Sequence, residues 1–253
     1  MKIALKHCLI GLSASFITFV VSLIGFVLLF ASGDGNLDVF KYFTVLSNAL
    51  VLVSSLLGLV LYALTYWRVR NYVFKWFQVF RLVSVVAVGI TFTMVVIFLA
   101  PADPSFGWFA NYNLFMHLLT PIVAMLSFAF FEYITKINIK SIFTPTIFVI
   151  VYGIFYIIYA FSSPSGTSID WYGFLFRPEN RIAPASFSNI NWGTFFIFLL
   201  ESLGAALLFA FVFYLINKIM NKTFANVKVE GENKKIDVSI KVVKDKDLKN
   251  DDK

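Results

Sequence analysis

Six stretches of this chain, each about twenty residues or longer, are nearly free of charge, and that length is what a helix needs to cross the hydrocarbon core of a bilayer. They lie near Leu9–Ala31, Val39–Leu64, Phe80–Ala100, Leu114–Tyr133, Ile142–Phe161 and Phe195–Ile216. A soluble fold has no place for all of them. Hydrophobic residues make up 59% of the 253 and charged residues 14%, whereas a soluble domain carries about 25% charged residues. Surface-to-volume scaling leaves a soluble chain of this size a large solvated shell that such a composition cannot cover. The first run follows Lys2 and Lys6 like the apolar part of a signal peptide, but it exceeds the roughly 7–15 residues of one and is read as a helix. The expected fold is all-α, a polytopic transmembrane helical bundle of about six spans.

Lys and Arg placement orients the spans, because cytoplasmic loops are enriched in both. One side receives Lys2, Lys6, Arg68, Arg70, Lys75, Arg81, Lys136, Lys140, Lys218 and Lys222. The other receives Lys41, Arg177 and Arg181, with Asp34, Asp38, Asp103, Asp170 and Glu179. Both termini are therefore expected in the cytoplasm. Residues 1–222 form the membrane domain, and 223–253 a charged tail. Val227–Val243 alternates apolar and polar around Glu230-Gly231-Glu232-Asn233, the pattern of a hairpin, although an isolated hairpin is marginal in water. The final Lys/Asp run reads as disordered. The basic residues are scattered through short loops, so no nucleic-acid partner is expected despite a pI near 9.4. The long segment Ser162–Thr194 on the outer side carries Trp171, Tyr172, Phe174 and Trp192. These are either interfacial anchors or parts of a lid over a site.

Polar residues at membrane depth are costly and mark candidate sites. In span two, Thr44, Ser47 and Asn48 stand at i, i+3 and i+4, on one helix face. Asn113, His117 and Thr120 share a face of span four by the same spacing. Glu201, beside Ser202, stands inside the sixth run. Spans two, four and six all run from outside to inside. At 1.5 Å per residue, Thr44, His117 and Glu201 fall roughly 5–10 Å below the outer helix ends. Taken singly, each has an ordinary reading. Transmembrane Ser and Thr bond back to backbone, Asn serves as interhelical glue, a lone His packs, and Glu201 pairs with Arg177 or Arg181.

Taken together they support acyl transfer to water. His removes the proton that keeps a Thr hydroxyl weakly nucleophilic, and Asn48 or Ser47 donates to the developing oxyanion. A lipid ester is the substrate such a site accepts sideways from the bilayer. Cys8 stands alone, so it forms neither an internal disulfide nor a Cys-based zinc site. His7 and His117 lie on opposite sides of the membrane and form no His cluster for a metal. No cofactor is expected.

Lys41-Tyr42-Phe43-Thr44-Val45-Leu46-Ser47-Asn48, followed downstream by Phe115-Met116-His117-Leu118-Leu119-Thr120-Pro121, resembles the androgen-induced and androgen-dependent integral membrane proteins. The similarity is greater to their bacterial relatives, the Pr6Pr family, and covers most of residues 9–216 in span order, including Leu200-Glu201. The outer-loop sequence Trp171-Tyr172-Gly173-Phe174-Leu175 adds to it, though the family tends to show Tyr-Pro before Phe-Leu. The resemblance implies an intramembrane threonine hydrolase of fatty acid esters of hydroxy fatty acids, with Thr44 and His117 in the catalytic motifs. It also implies a place in a bacterial cell membrane. The rival class is a non-enzymatic membrane protein, a small transporter or scaffold.

Overall fold

In a bilayer every backbone N–H and C=O must find a partner within the protein, which leaves a spanning segment the choice of helix or closed barrel. The computed structural model describes residues 2–33, 36–68, 73–133, 136–162 and 190–247. Six of its helices are long and apolar enough to cross a membrane. They are α1 (Lys2–Ala31), α2 (Phe43–Arg68), α3 (Lys75–Leu99), α4 (Asn111–Phe130), α5 (Thr144–Phe161) and α6 (Trp192–Asp247). No β-strand occurs among the described residues. The fold is an all-α, multi-pass bundle.

Burial identifies the centre. In α3, 56% of the most apolar window is buried, against 17% in α5 and in α6. α3 packs on α2, α4, α5 and α6. Its Val85, Val86, Val88 and Ile90 meet Ala124 and Phe128 of α4 and Ala206, Ala210 and Phe213 of α6. α1 joins through small side chains. Cys8, Gly11, Ser15, Thr18, Ser22 and Gly25 recur at three- and four-residue spacing and are buried, while Phe16, Ile17, Leu23, Ile24 and Val27 are exposed. Such a stripe lets helix backbones approach closely in lipid. A Cβ on Gly11 would stand 2.6 Å from the Tyr62 ring of α2, and one on Gly25 would stand 2.9 Å from Phe115 of α4.

Two spans are locally widened, and proline explains both. π-helical turns occupy Met94–Leu99 in α3 and Phe115–Leu119 in α4, each ending two residues before a proline, Pro101 and Pro121. A proline ring inside a helix clashes with the carbonyl four residues earlier. A π turn relieves that contact by lengthening the loop of the hydrogen bond, as in the bond from Thr120 N to Phe115 O. Pro145 lies in the first turn of α5, where proline is tolerated, and brings no π turn.

Several expected boundaries shift. α2 starts at Phe43 instead of Val39 because Leu37–Lys41 forms its own 3-10 turn, capped by Asn36 Oδ1 on the Asp38 N–H at 2.8 Å. α3 starts at Lys75 instead of Phe80, which places Arg81 in the second turn of the helix instead of at its first residues. Asn191 caps α6, its Oδ1 accepting from Thr194 N at 3.3 Å, as Asn commonly does at a helix start. That helix runs through the expected division at 222/223 to Asp247. The stretch Val227–Val243 is thus helical backbone where its alternation suggested a hairpin. Lys and Glu are good helix formers, and a short alternating pattern is a weak signal beside them. Asp34, Arg70, Asp170, Arg177, Glu179 and Arg181 lie outside the described residues, as do Trp171, Tyr172 and Phe174.

Candidate functional site

Where α2, α3, α5 and α6 meet, they leave a cavity of about 150 Å³. Its wall is mostly apolar, from Phe43, Ile90, Met94, Val95, Val149, Phe195 and Leu199, but it includes Thr44, Thr91 and Ser202. The Met94–Leu99 π turn supplies Met94, Val95 and Leu99, so the distortion set by Pro101 shapes this space. Tyr152 and Phe43 close one side, with ring centroids 5.0 Å apart at 75°. The Tyr152 hydroxyl donates to Lys41 O at 2.7 Å.

Thr44 is the second residue of α2, and its side chain is half-buried. Among the described residues its hydroxyl has no hydrogen-bond partner, while its carbonyl is heavily used. Ser47 Oγ donates to that carbonyl at 2.9 Å and Asn48 Nδ2 at 2.8 Å. Ser47 Oγ also meets Thr91 Oγ1 at 2.9 Å, which ties α2 to α3. Asn48 Nδ2 donates a second time, to Met116 O of α4 at 3.0 Å. Both amide hydrogens of Asn48 are therefore spent on backbone, and none is left for an oxyanion. Asn48 is a clamp. It sets the Thr44 turn beside the residue that precedes His117.

His117 lies within the α4 π turn and is 7% exposed. Its Nδ1 is 3.2 Å from Trp108 O, and the two rings are 5.5 Å apart at 58°. With Nδ1 donating to that carbonyl, Nε2 keeps the free lone pair required of a base. The turn that carries Trp108 is self-braced. Asp103 Oδ1 accepts from Ser105 N and Oγ at 3.2 and 2.6 Å, and Trp108 Nε1 donates to Asp103 O at 2.8 Å. Asn113 Nδ2 reaches Gly107 O at 3.5 Å, so Asn113 supports the turn instead of the cavity.

The predicted residues thus divide into two groups. Thr44 lines the cavity, and Ser47 contacts Thr91, which lines it too. His117 is outside the lining, and no hydrogen bond joins it to Thr44. Thr120 is 1% exposed, and its Oγ1 has no partner among the described residues. Glu201 is exposed on α6, whereas the adjacent Ser202 faces the cavity.

Two ionic features complete the picture. At the mouth of α2, Lys41 Nζ and the Tyr159 hydroxyl both bond Asp38, each at 2.5 Å. The Lys41 ammonium and the Tyr159 hydroxyl hold the Asp38 carboxyl below its usual range. At the far end of α2, Arg81 is fully buried and paired with the equally buried Glu132 at 2.8 Å. Sequence reasoning counted Arg81 as a loop cation and passed over Glu132. A charge at the start of an apolar run with an acid at the end of the next was the available signal.

No family model matches the chain, and comparisons with curated proteins and with solved structures find no relative.

Proposed function

We propose that the chain is an intramembrane lipid-ester hydrolase that takes an acyl chain into the cavity between α2, α3, α5 and α6 and attacks the ester through Thr44. The observation that carries this reading is an unpartnered Thr44 hydroxyl in the wall of an apolar cavity. Apolar pockets with a few placed polar groups are the usual form of a small-molecule site. The resemblance of the Thr44 and His117 segments to the Pr6Pr family supports the same chemistry and a bacterial cell membrane.

In this mechanism His117 Nε2 takes the Thr44 proton, and the Thr44 oxygen forms an acyl ester as the substrate's alcohol leaves with that proton. Water then cleaves the acyl-threonine, with His117 acting again as base. The Asn48 clamp places the two helix turns side by side, and the chemistry requires the His117 ring to close on Thr44 when lipid is bound. Loose geometry before substrate arrives is common in hydrolytic sites. The Lys/Arg asymmetry supports an outer-leaflet cavity with both termini in the cytoplasm.

The absence of a Thr44–His117 hydrogen bond favours a second reading, a non-enzymatic lipid-binding scaffold or small transporter. Hydrolysis of a panel of long-chain esters by the detergent-purified protein separates them. Turnover that disappears in folded Thr44→Val supports the hydrolase. Equal turnover in that variant, or none by wild type on any ester, favours the scaffold or transporter.

A further inference from the structure

The end of the bundle where α2 gives way to α3 holds a polar cluster with more hydrogen-bonding capacity than the protein satisfies. Arg81 Nε donates to Glu132 Oε1 and Oε2 at 3.2 and 2.9 Å, its Nη2 donates to Oε1 at 2.8 Å, and its Nη1 donates to Ser54 Oγ at 3.1 Å. A guanidinium carries five N–H groups, so two of these remain unused among the described residues. Gln78 Nε2 donates to the backbone carbonyl of Glu132 at 2.5 Å, yet the Oε1 of the same amide is buried without a partner. Tyr62 Oη and Ser15 Oγ are also buried and, among the described residues, unpartnered. All three residues are 0–1% exposed.

Their positions converge. The Tyr62 ring packs edge-on against Phe77, the residue before Gln78, with centroids 6.5 Å apart at 83°. Gly11 exists in contact with the Tyr62 ring, where a Cβ would stand 2.6 Å from it. Ser15 stands one turn further along α1, against Gly58, which is one turn before Tyr62 on α2 and one turn after Ser54. Tyr62, seated against a glycine, thus brings a buried hydroxyl without a partner among the described residues to the same end of the bundle as Gln78 and Arg81.

The unmet groups define that ligand. Arg81 and Glu132 cancel in charge, so no ion is needed for neutrality. A metal cation has no use for unused N–H and O–H donors. An anion cannot satisfy the Gln78 carbonyl oxygen. The ligand must donate and accept, and it must be small. We infer that this cluster is a structural water site, in which an internal water accepts from Tyr62 Oη and an Arg81 N–H and donates to Gln78 Oε1. Internal waters typically make about three such bonds to otherwise unsatisfied groups. The water joins α2 to α3 and hydrates an ion pair that apolar packing otherwise seals.

The test uses the full chain in lipid nanodiscs, at a resolution where internal waters are visible. Density is expected within hydrogen-bond distance, about 2.6–3.2 Å, of Tyr62 Oη and Gln78 Oε1. Tyr62→Phe removes only the hydroxyl, and it is expected to lower Tm by about 2–4 °C, the shift that one lost hydrogen bond gives in a chain of this size. A hydroxyl with no water would behave in the opposite way, since deleting an orphaned polar group relieves its burial. An unchanged or raised Tm, or no density at the site while other internal waters are seen, overturns the inference. The wild-type map decides alone if Tyr62→Phe fails to fold.

Discussion

Thr44 and Asn48 are four residues apart on one helix face and do different work. Thr44 presents a hydroxyl to the cavity, while Asn48 spends its amide on Thr44 O and Met116 O. Asn48→Ala should therefore weaken the α2–α4 contact, at a cost of about 1–3 kcal/mol for the buried groups left unmet. Thermal unfolding in detergent measures that loss. An oxyanion donor would instead leave Tm unchanged and lower turnover by about 10²–10³. Asp38 makes a pH-dependent counterpart. Its folded pKa is depressed by Lys41 and Tyr159, so its contribution to stability is present above the unfolded carboxyl pKa of about 3.9 and is lost as pH falls through the lower folded value. The Tm difference between wild type and Asp38→Asn should be constant from pH 7 to 5 and shrink only below about pH 4, as the carboxyl begins to protonate in the unfolded chain. A difference that vanishes already at pH 5 would mean that Asp38 is not held in this way.

At the scale of helices, the apolar runs located every span, because span length and hydropathy are properties of one segment. What they did not show depends on two segments at once. The pairing of Arg81 with Glu132 needs α3 and α4 side by side, and the separation of His117 from the cavity needs the packing of α4 against α2 and α3. Pro101 and Pro121 were visible in the sequence, but a π turn follows from a steric contact between a ring and a carbonyl, which no hydropathy pattern records. Thr44, Ser47 and Asn48 were legible as one face. Their roles were not, since a hydrogen-bond partner on another helix decides each one. Replacing Glu132 by Gln strands the buried Arg81 charge and should cost about 3–5 kcal/mol. The double replacement Arg81→Met with Glu132→Leu should be milder than either single change, because no unpaired charge remains. Chemical or thermal unfolding of the three variants checks the order, and a double variant worse than the sum of the singles would contradict it.

For the molecule as a whole, six apolar helices with a small-residue seam and a central α3 describe a multi-pass membrane bundle. The orientation proposed from the charge asymmetry is open to a direct test. In intact cells Ser165→Cys should react with an impermeant thiol reagent and Ser239→Cys should not, in a Cys8→Ala background. The reverse pattern would invert the orientation and move the cavity to the inner leaflet. The proposed function rests on the cavity and its threonine. If Thr44 and His117 act as a unit, each single loss should abolish turnover and the double loss should be no worse. The most direct measurement is covalent labelling of the purified, folded protein with a long-chain fluorophosphonate, followed by mapping of the modified peptide. The account predicts a single adduct on Thr44, absent in Thr44→Val and strongly reduced in His117→Ala. Equal labelling of wild type and Thr44→Val, or no labelling of the folded wild type, would contradict it.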